Sequence, residues 1–265
     1  MRRPKHLLRY IALAYLVIIL IGPLFMMLWR TCQDLGAAWG AISTHDTVLA
    51  FKLTIIVALI AVPVNTIFGV VCALAIVRGD FKGKGLLNAF VDLPLALSPV
   101  IVGFSLVLLY GTHGWLGWFD GHGIHILFAV PAIVLATVFV SLPFVAREVV
   151  PVLREIGTEQ EQAAHTLGAS GWQTFWRITL PSIRWAVIYG VVLTAARCIG
   201  EFGAVLVVSG NIDGKTQTAT LRVDDAYQFA YGHYAGAYGI SLVLAAMAIL
   251  ILAAMLKVQR KGIAV

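Results

Sequence analysis

The sequence predicts an all-α integral membrane protein of six transmembrane helices, with short helices on a polar loop between spans four and five. Three observations predict it. Of 265 residues, 60% are hydrophobic and 12% charged, about half the charged share of a soluble domain. Uncharged apolar runs recur near the roughly 20 residues needed to cross about 30 Å of hydrocarbon. Lys and Arg gather in alternate loops, the asymmetry that orients membrane helices. The net charge of +6 therefore reads as a topology signal, and its scatter over span-flanking loops excludes a nucleic-acid surface. Cys32, Cys72 and Cys198 lack metal or redox spacing, and two of them sit in apolar runs as small core residues.

The first span follows the basic start Arg2, Arg3, Lys5 and Arg9 and runs from Tyr10 to Trp29. A secretory signal is the competing reading, but the run is long enough to span and no small-residue cleavage site follows. A second span, about Val48 to Val77, carries Pro63 and Asn65 near its middle. Proline frees a carbonyl, so this helix is expected to bend and to face neighbours rather than lipid. After a basic loop, the third span, Leu86 to Tyr110, holds Asp92, Pro94, Ser98, Pro99 and Gly103. Two prolines, a carboxylate and a hydroxyl in one apolar run point either to a broken helix lining a cavity or to a kink made for packing.

The loop Gly111 to His125 contains His113, His122 and His125. No regular element places a carboxylate beside them, so a polar external loop is expected there and not a metal site. Span four, Ile126 to Ala146, carries Pro131 and Pro143. Span five, from Pro181 to about Ser209, contains Arg197 and Glu201, four apart on one helical face. Span six, Ala235 to Leu256, ends in Lys257, Arg260 and Lys261. The N-terminus, the loop at 78 to 84, the loop between spans four and five and the C-terminus hold 14 of the 19 Lys and Arg. Positive residues mark the cytoplasmic side, so both termini and that loop are expected inside.

Between spans four and five lies GTEQEQAAHTLGASGWQTFWRITLPS, Gly157 to Ser182. Thr158 precedes Glu161 by three, and Ser170 precedes Gln173 by three, so each pair is expected to form a capping box opening a short helix. Gly168 between them suits a left-handed cap that turns the chain. Ala163 and Ala164 admit a close-approaching partner, and Trp172, Phe175 and Trp176 supply aromatic anchors. An amphipathic connector is the bland alternative. At these residues the chain resembles the EAA loop of the integral permease subunits of ATP-binding-cassette importers: Ala163, Ala164, Gly168, Ile178, Leu180 and Pro181 match, while Gln162 stands where that family usually has its second Glu. The resemblance implies ATPase coupling through Glu159, Glu161, Gln162, Ala163, Ala164, Gly168, Ala169 and Trp172, on a helix from Glu159 to Thr166.

The chain supplies no motor of its own. Gly79 to Gly85 has the wrong spacing for a phosphate-cradling P-loop, and neither HExxH nor GxSxG occurs, so no catalytic residue, cofactor or metal is expected. Charges at membrane depth cost about 2.5 to 3.5 kcal/mol each unless paired or wet. Arg197 and Glu201 are therefore expected to face the protein interior, as a path lining or gate or as a bracing ion pair. Asp92, Ser98 and Pro99 join them as candidate path residues.

A narrower resemblance rests on GEFGAVLVVSGN at Gly200 to Asn211, TQTATL at Thr216 to Leu221 and DLPLALSPVIVG at Asp92 to Gly103. These segments are similar to sulfate/thiosulfate permease subunits of the CysW type, the last also to molybdate-transporting relatives. The resemblance implies a type I importer fold with a permease core at 48–256, an N-terminal segment 1–47 with the first span and external loop, and a cytoplasmic tail 257–265. It further implies ABC ATPase subunits, a second permease, an extracytoplasmic sulfate-binding protein and surrounding membrane lipid as partners in a bacterial inner membrane. The polar segment 210–234, rich in Thr, Asp, Tyr and Gly, reads as an external loop that either receives a solute-binding protein or serves as a structural cap. A molybdate or tungstate permease is the alternative within this class. A non-transporting membrane scaffold or receptor is the alternative outside it.

Overall fold

The computed structural model describes residues 5–230 and 232–263, with side chains for 9–230 and 232–253. The basic residues Arg2, Arg3, Lys257, Arg260 and Lys261 lie outside the described side chains. In chain order the helices are α1 (Lys5–Leu16), α2 (Gly22–Gln33), α3 (Leu35–Ile42), α4 (His45–Arg78), α5 (Lys84–Ala96), α6 (Pro99–Tyr110), α7 (Trp118–Gly121), α8 (Val130–Ser141), α9 (Pro143–Glu155), α10 (Glu159–Thr166), α11 (Gly171–Thr174), α12 (Leu180–Ile199), α13 (Gly203–Val208), α14 (Ala219–Gln228) and α15 (Ala235–Ile263). A π turn, Val17–Ile21, joins α1 to α2, and another, Phe175–Thr179, joins α11 to α12.

Among the described residues five continuous helices are long and apolar enough to cross a membrane: Arg9–Gln33, His45–Arg78, Val130–Glu155, Gly171–Ile199 and Ala235–Ala253. The pair α5 and α6, apolar enough together but bent by 109° at its break, makes a sixth span when taken as one. Pro99 begins α6, and Ser98 before it is extended, as the residue preceding a proline tends to be. The pair's two arms pack into different clusters. Val91 packs with Cys72 and Ile76 near the Arg78 end of α4, whereas Leu106 and Val107 join Ile126, Leu127 and residues of α8 and α13.

At the centre stands α9, clasped between α4 and α12. A Cβ on Gly69 of α4 would fall 2.7 Å from Val145 Cβ, and one on Gly190 of α12 would fall 2.8 Å from Val145 Cα. Glycine on both flanks lets three helices meet almost backbone to backbone, the small-residue packing that drives association in lipid. Around this crossing Val70, Val145, Val149, Leu153 and Ile183 form a buried cluster.

Several boundaries differ from the sequence reading, each for a local reason. Span four does not end before its first charge but runs on through Arg147 to Glu155, as α9 opens at Pro143, a residue well suited to a first helical turn, and continues past the charge. Pro63 leaves α4 a single helix and lies on its exposed side, while Asn65, two residues on, is fully buried. The expected neighbour-facing position therefore belongs to Asn65. Its Nδ2 donates to Val138 O at 3.1 Å and Ser141 Oγ at 2.8 Å. Val138 O is available because the N–H of Leu142, next to Pro143, turns to Phe139 O.

Candidate functional site

The stretch 157–182 folds as one compact unit at the Arg78 end of α4. Gly157 and Gly168 both have positive φ, +64° and +84°, so the chain turns sharply before α10 and again after it. Ser170 caps α11 as expected: its Oγ accepts from Gln173 N–H at 3.3 Å and its own N–H donates to Gln173 Oε1 at 2.9 Å. Thr158 makes no such cap. Glu161, its expected partner, is engaged elsewhere, with Arg78 Nε donating to Oε2 at 2.9 Å and Thr179 Oγ1 donating to Oε1 at 2.8 Å. The carboxylate thus finds a full positive charge together with a hydroxyl, where the cap would have offered one neutral N–H. Gln162 reaches Thr158 Oγ1 at 3.1 Å in its stead.

Arg78 ties the unit together. Besides Glu161 it donates to Leu153 O at 3.0 Å and to Gly157 O, the last a close contact that caps the turn after α9. One guanidinium therefore joins the end of α4, the end of α9 and the body of α10. The sequence showed Arg78 as a basic residue at a span end and gave no sign of this role.

The second short helix is not separate. Through the π turn 175–179 it continues directly into α12, so Gly171–Ile199 is one long helix. Ala164 faces inward and is buried, whereas Ala163, Glu159 and Gln162 are exposed and Ala169 is half-buried. Only Ala163 of the two alanines is thus offered to a partner. Trp172, 71% exposed, stacks on Phe175 at 6.1 Å and meets Trp176 edge-on at 5.5 Å. These rings form an aromatic ridge, and Leu167, just after α10, is 89% exposed.

The expected path residues fall into two groups. In the first, two chain breaks meet. α12 ends at Ile199 and α13 starts at Gly203, so Arg197 and Glu201 do not share a helix as expected. Glu201 lies in the break, 3% exposed; its Oε1 accepts from Ala204 N–H at 3.1 Å and so caps α13. Arg197 Nη2 stands 3.0 Å from Glu201 Oε2, within ion-pairing range but off hydrogen-bonding geometry. Against this break lies the other: a Cβ on Gly203 would come 3.2 Å from Pro99 Cβ, and one on Gly103 2.9 Å from Ala204 O. Ser98 is exposed and Pro99 half-buried at this junction. Irregular backbone at membrane depth is tolerated where protein or a water-filled cavity satisfies it, and two such breaks in contact suit a place where helices rearrange around a solute.

Asp92 belongs to the second group. Arg147 Nε on α9 donates to its Oδ1 at 2.8 Å, and Asn88 Nδ2 lies 3.4 Å from its Oδ2. Taking Cys72 and Ile76 as the level of Val91, and the middle of α4 as the level of the breaks, the pair lies on the order of 15 Å nearer the Arg78 end. The sequence reading counted Arg147 among loop charges, because it ended span four at Ala146.

Comparison with known proteins places this geometry in context. The family model described as "Binding-protein-dependent transport system inner membrane component" matches residues 65–261. The chain is 47% identical over 250 residues, 94% of its length and 90% of the relative's, to the sulfate transport system permease protein CysW of Synechocystis sp.. It is 37% identical over 243 residues, 91% of its length and 87% of the relative's, to the sulfate transport system permease protein CysT of Escherichia coli. Among solved structures, a chain of a bacterial alginate ABC transporter, crystallised with its alginate pentasaccharide-bound periplasmic protein, superposes with a TM-score of 0.80 at 17% identity, covering 97% of this chain and 93% of that one. That likeness is one of fold.

Proposed function

The chain belongs to the family of binding-protein-dependent transport system inner membrane components, and from that membership we infer that it is the permease subunit of an ATP-driven importer carrying sulfate or thiosulfate. It is a multi-pass membrane component of a transporter and not an enzyme. The observation that carries the substrate is the 47% identity, along nearly the whole chain, to a protein named sulfate permease CysW. Likeness to CysT as well supports a second permease that is a paralogue, and the same names favour sulfate over molybdate or tungstate.

In this reading the stretch 157–182 faces the cytoplasm, both termini lie on that side, and a separate ATPase seats against α10 and the Trp172 ridge. ATP binding draws the ATPases together and displaces α10. The Arg78 knot passes that displacement to the ends of α4 and α9, and α9 carries it to α12 through the Val145 crossing. The paired breaks at Ser98–Pro99 and Gly200–Phe202 are where the spans rearrange, so that the path opens first to one side and then to the other. A binding protein delivers the anion at the segment 210–234, which contains α14, the permease core is 48–256, and Arg197, Glu201, Asp92, Ser98 and Pro99 line or gate the path.

Uptake of radiolabelled sulfate, in cells lacking this chain and in cells with it restored, tests the reading. Restoration of energy-dependent uptake, competed by thiosulfate better than by molybdate, is expected. Unchanged sulfate uptake on deletion, or restoration of molybdate uptake alone, overturns the substrate. Sulfate accumulation that persists when Gly168→Trp disrupts docking supports a non-transporting scaffold instead.

A further inference from the structure

We propose that Arg147 is an oxyanion-contacting residue in the inner half of the translocation path, held in place by Asp92 and offering the free edge of its guanidinium to the transported anion. The proposal rests on the reading of the chain as an anion importer and adds a binding site to it.

Arg147 sits within α9, eight residues before its last residue Glu155, about 12 Å along the helix. Its side chain is nevertheless 56% exposed, beside a cavity of about 100 Å³ lined by Asn88, Asp92, Arg147, Val91, Val150 and Pro151 among others. Nε is the only nitrogen with a partner among the described residues, donating to Asp92 Oδ1 at 2.8 Å. A guanidinium carries five N–H donors in a rigid plane. One is occupied, so four on Nη1 and Nη2 remain, already oriented by the bond that fixes the fifth. Asn88 and Asp92 stand one helical turn apart on α5, and Asn88 lies on the cavity wall.

Physical chemistry explains the pairing with Asp92. A lone arginine at this depth would be costly to insert and would hold a divalent anion too tightly. A transport site must bind well enough to receive and weakly enough to release. The adjacent carboxylate lowers both the cost and the affinity while leaving the hydrogen-bonding edge intact. Arg78 and Arg222 are more fully committed, Arg78 to Glu161 and two carbonyls and Arg222 to Thr47 and Asp225 with Asp213 nearby. Arg197 lies at the breaks against the buried carboxylate of Glu201.

The test uses the full transporter complex in inside-out vesicles, with Cys32 replaced by Ser and Asn88→Cys as a reporter for a maleimide; Cys72 and Cys198 are buried. Sulfate should slow labelling relative to chloride at equal ionic strength. Arg147→Gln should raise the sulfate concentration giving half protection by about tenfold or more, as loss of a charge-assisted contact does, and Arg147→Lys should recover only part of it. Asp92→Asn should lower that concentration, since a competing negative charge is gone. A purely bracing ion pair predicts the opposite: no protection by sulfate, or protection equal in the parent and Arg147→Gln. Protection confined to vesicles without anionic lipid would assign the guanidinium to a headgroup phosphate, and would also overturn the proposal. Sulfate uptake by the unsubstituted complex is measured in parallel, so that loss of this site and loss of the sulfate assignment are told apart.

Discussion

Replacing Arg78 with Ala should unseat α10 while leaving the spans assembled. The substitution removes the 2.9 Å ion pair to Glu161 and the hydrogen bonds to Leu153 O and Gly157 O. Both charged side chains are mostly covered, 19% and 17% exposed, so the loss approaches that of breaking a buried pair, about 3 kcal/mol at the lower end of that range. At 1.36 kcal/mol per tenfold this shifts the balance between seated and unseated α10 by roughly a hundredfold. Glu161→Gln is milder. It keeps a bond to Thr179 and loses only the charge, about 1.5 kcal/mol or roughly tenfold. Hydrogen exchange at the α10 amides 162–167 measures the balance directly, with the amides of α15 as an internal reference. Protection falling about a hundredfold in Arg78→Ala and tenfold in Glu161→Gln, with α15 unchanged, is expected. Equal loss in α10 and α15, or no loss in α10, would refute the role given to this guanidinium.

Three further outcomes follow from the packing. Gly103→Leu should prevent the α6–α13 crossing, where even a Cβ would lie 2.7 Å from Val207 Cβ, and the variant should fail to yield an assembled complex by size-exclusion chromatography. Asn65→Leu removes two interhelical hydrogen bonds and should destabilise the bundle by about 1 to 2 kcal/mol, at the roughly 0.6 kcal/mol average per bond with added cost for the orphaned Val138 carbonyl. A thermal-shift series in detergent reads this. Trp172→Ala exposes little that was buried, because the ring is already in solvent. Stability should therefore hold while copurification with the ATPase is lost.

Much of this architecture was legible because its signals are long or sterically strict. Apolar runs of membrane-crossing length are hard to mistake, the third span, expected to break or kink at its prolines, bends by 109° just before Pro99, and Gly168 took the left-handed turn its position called for. The capping motif at Ser170 was right and the one at Thr158 was not, since a motif shows which bonds are possible and not which partner competes. Arg78, 83 residues from Glu161 in the chain, won that competition. Arg147 was hidden by a boundary error: the span was ended before its first charge, whereas the helix runs on to Glu155. Glu201 shows a third limit, because i and i+4 spacing implies one helical face only if the helix continues, and Gly200 with Phe202 ended it.

The central claim is that a cytosolic motor grips the unit between spans four and five. Leu167→Cys in a Cys32→Ser background tests it most directly, since position 167 is an exposed part of that unit. A membrane-impermeant maleimide should label it in inside-out vesicles stripped of the ATPase, fail to label it in intact cells, and lose access when the ATPase is added back. Labelling from outside intact cells would contradict the account.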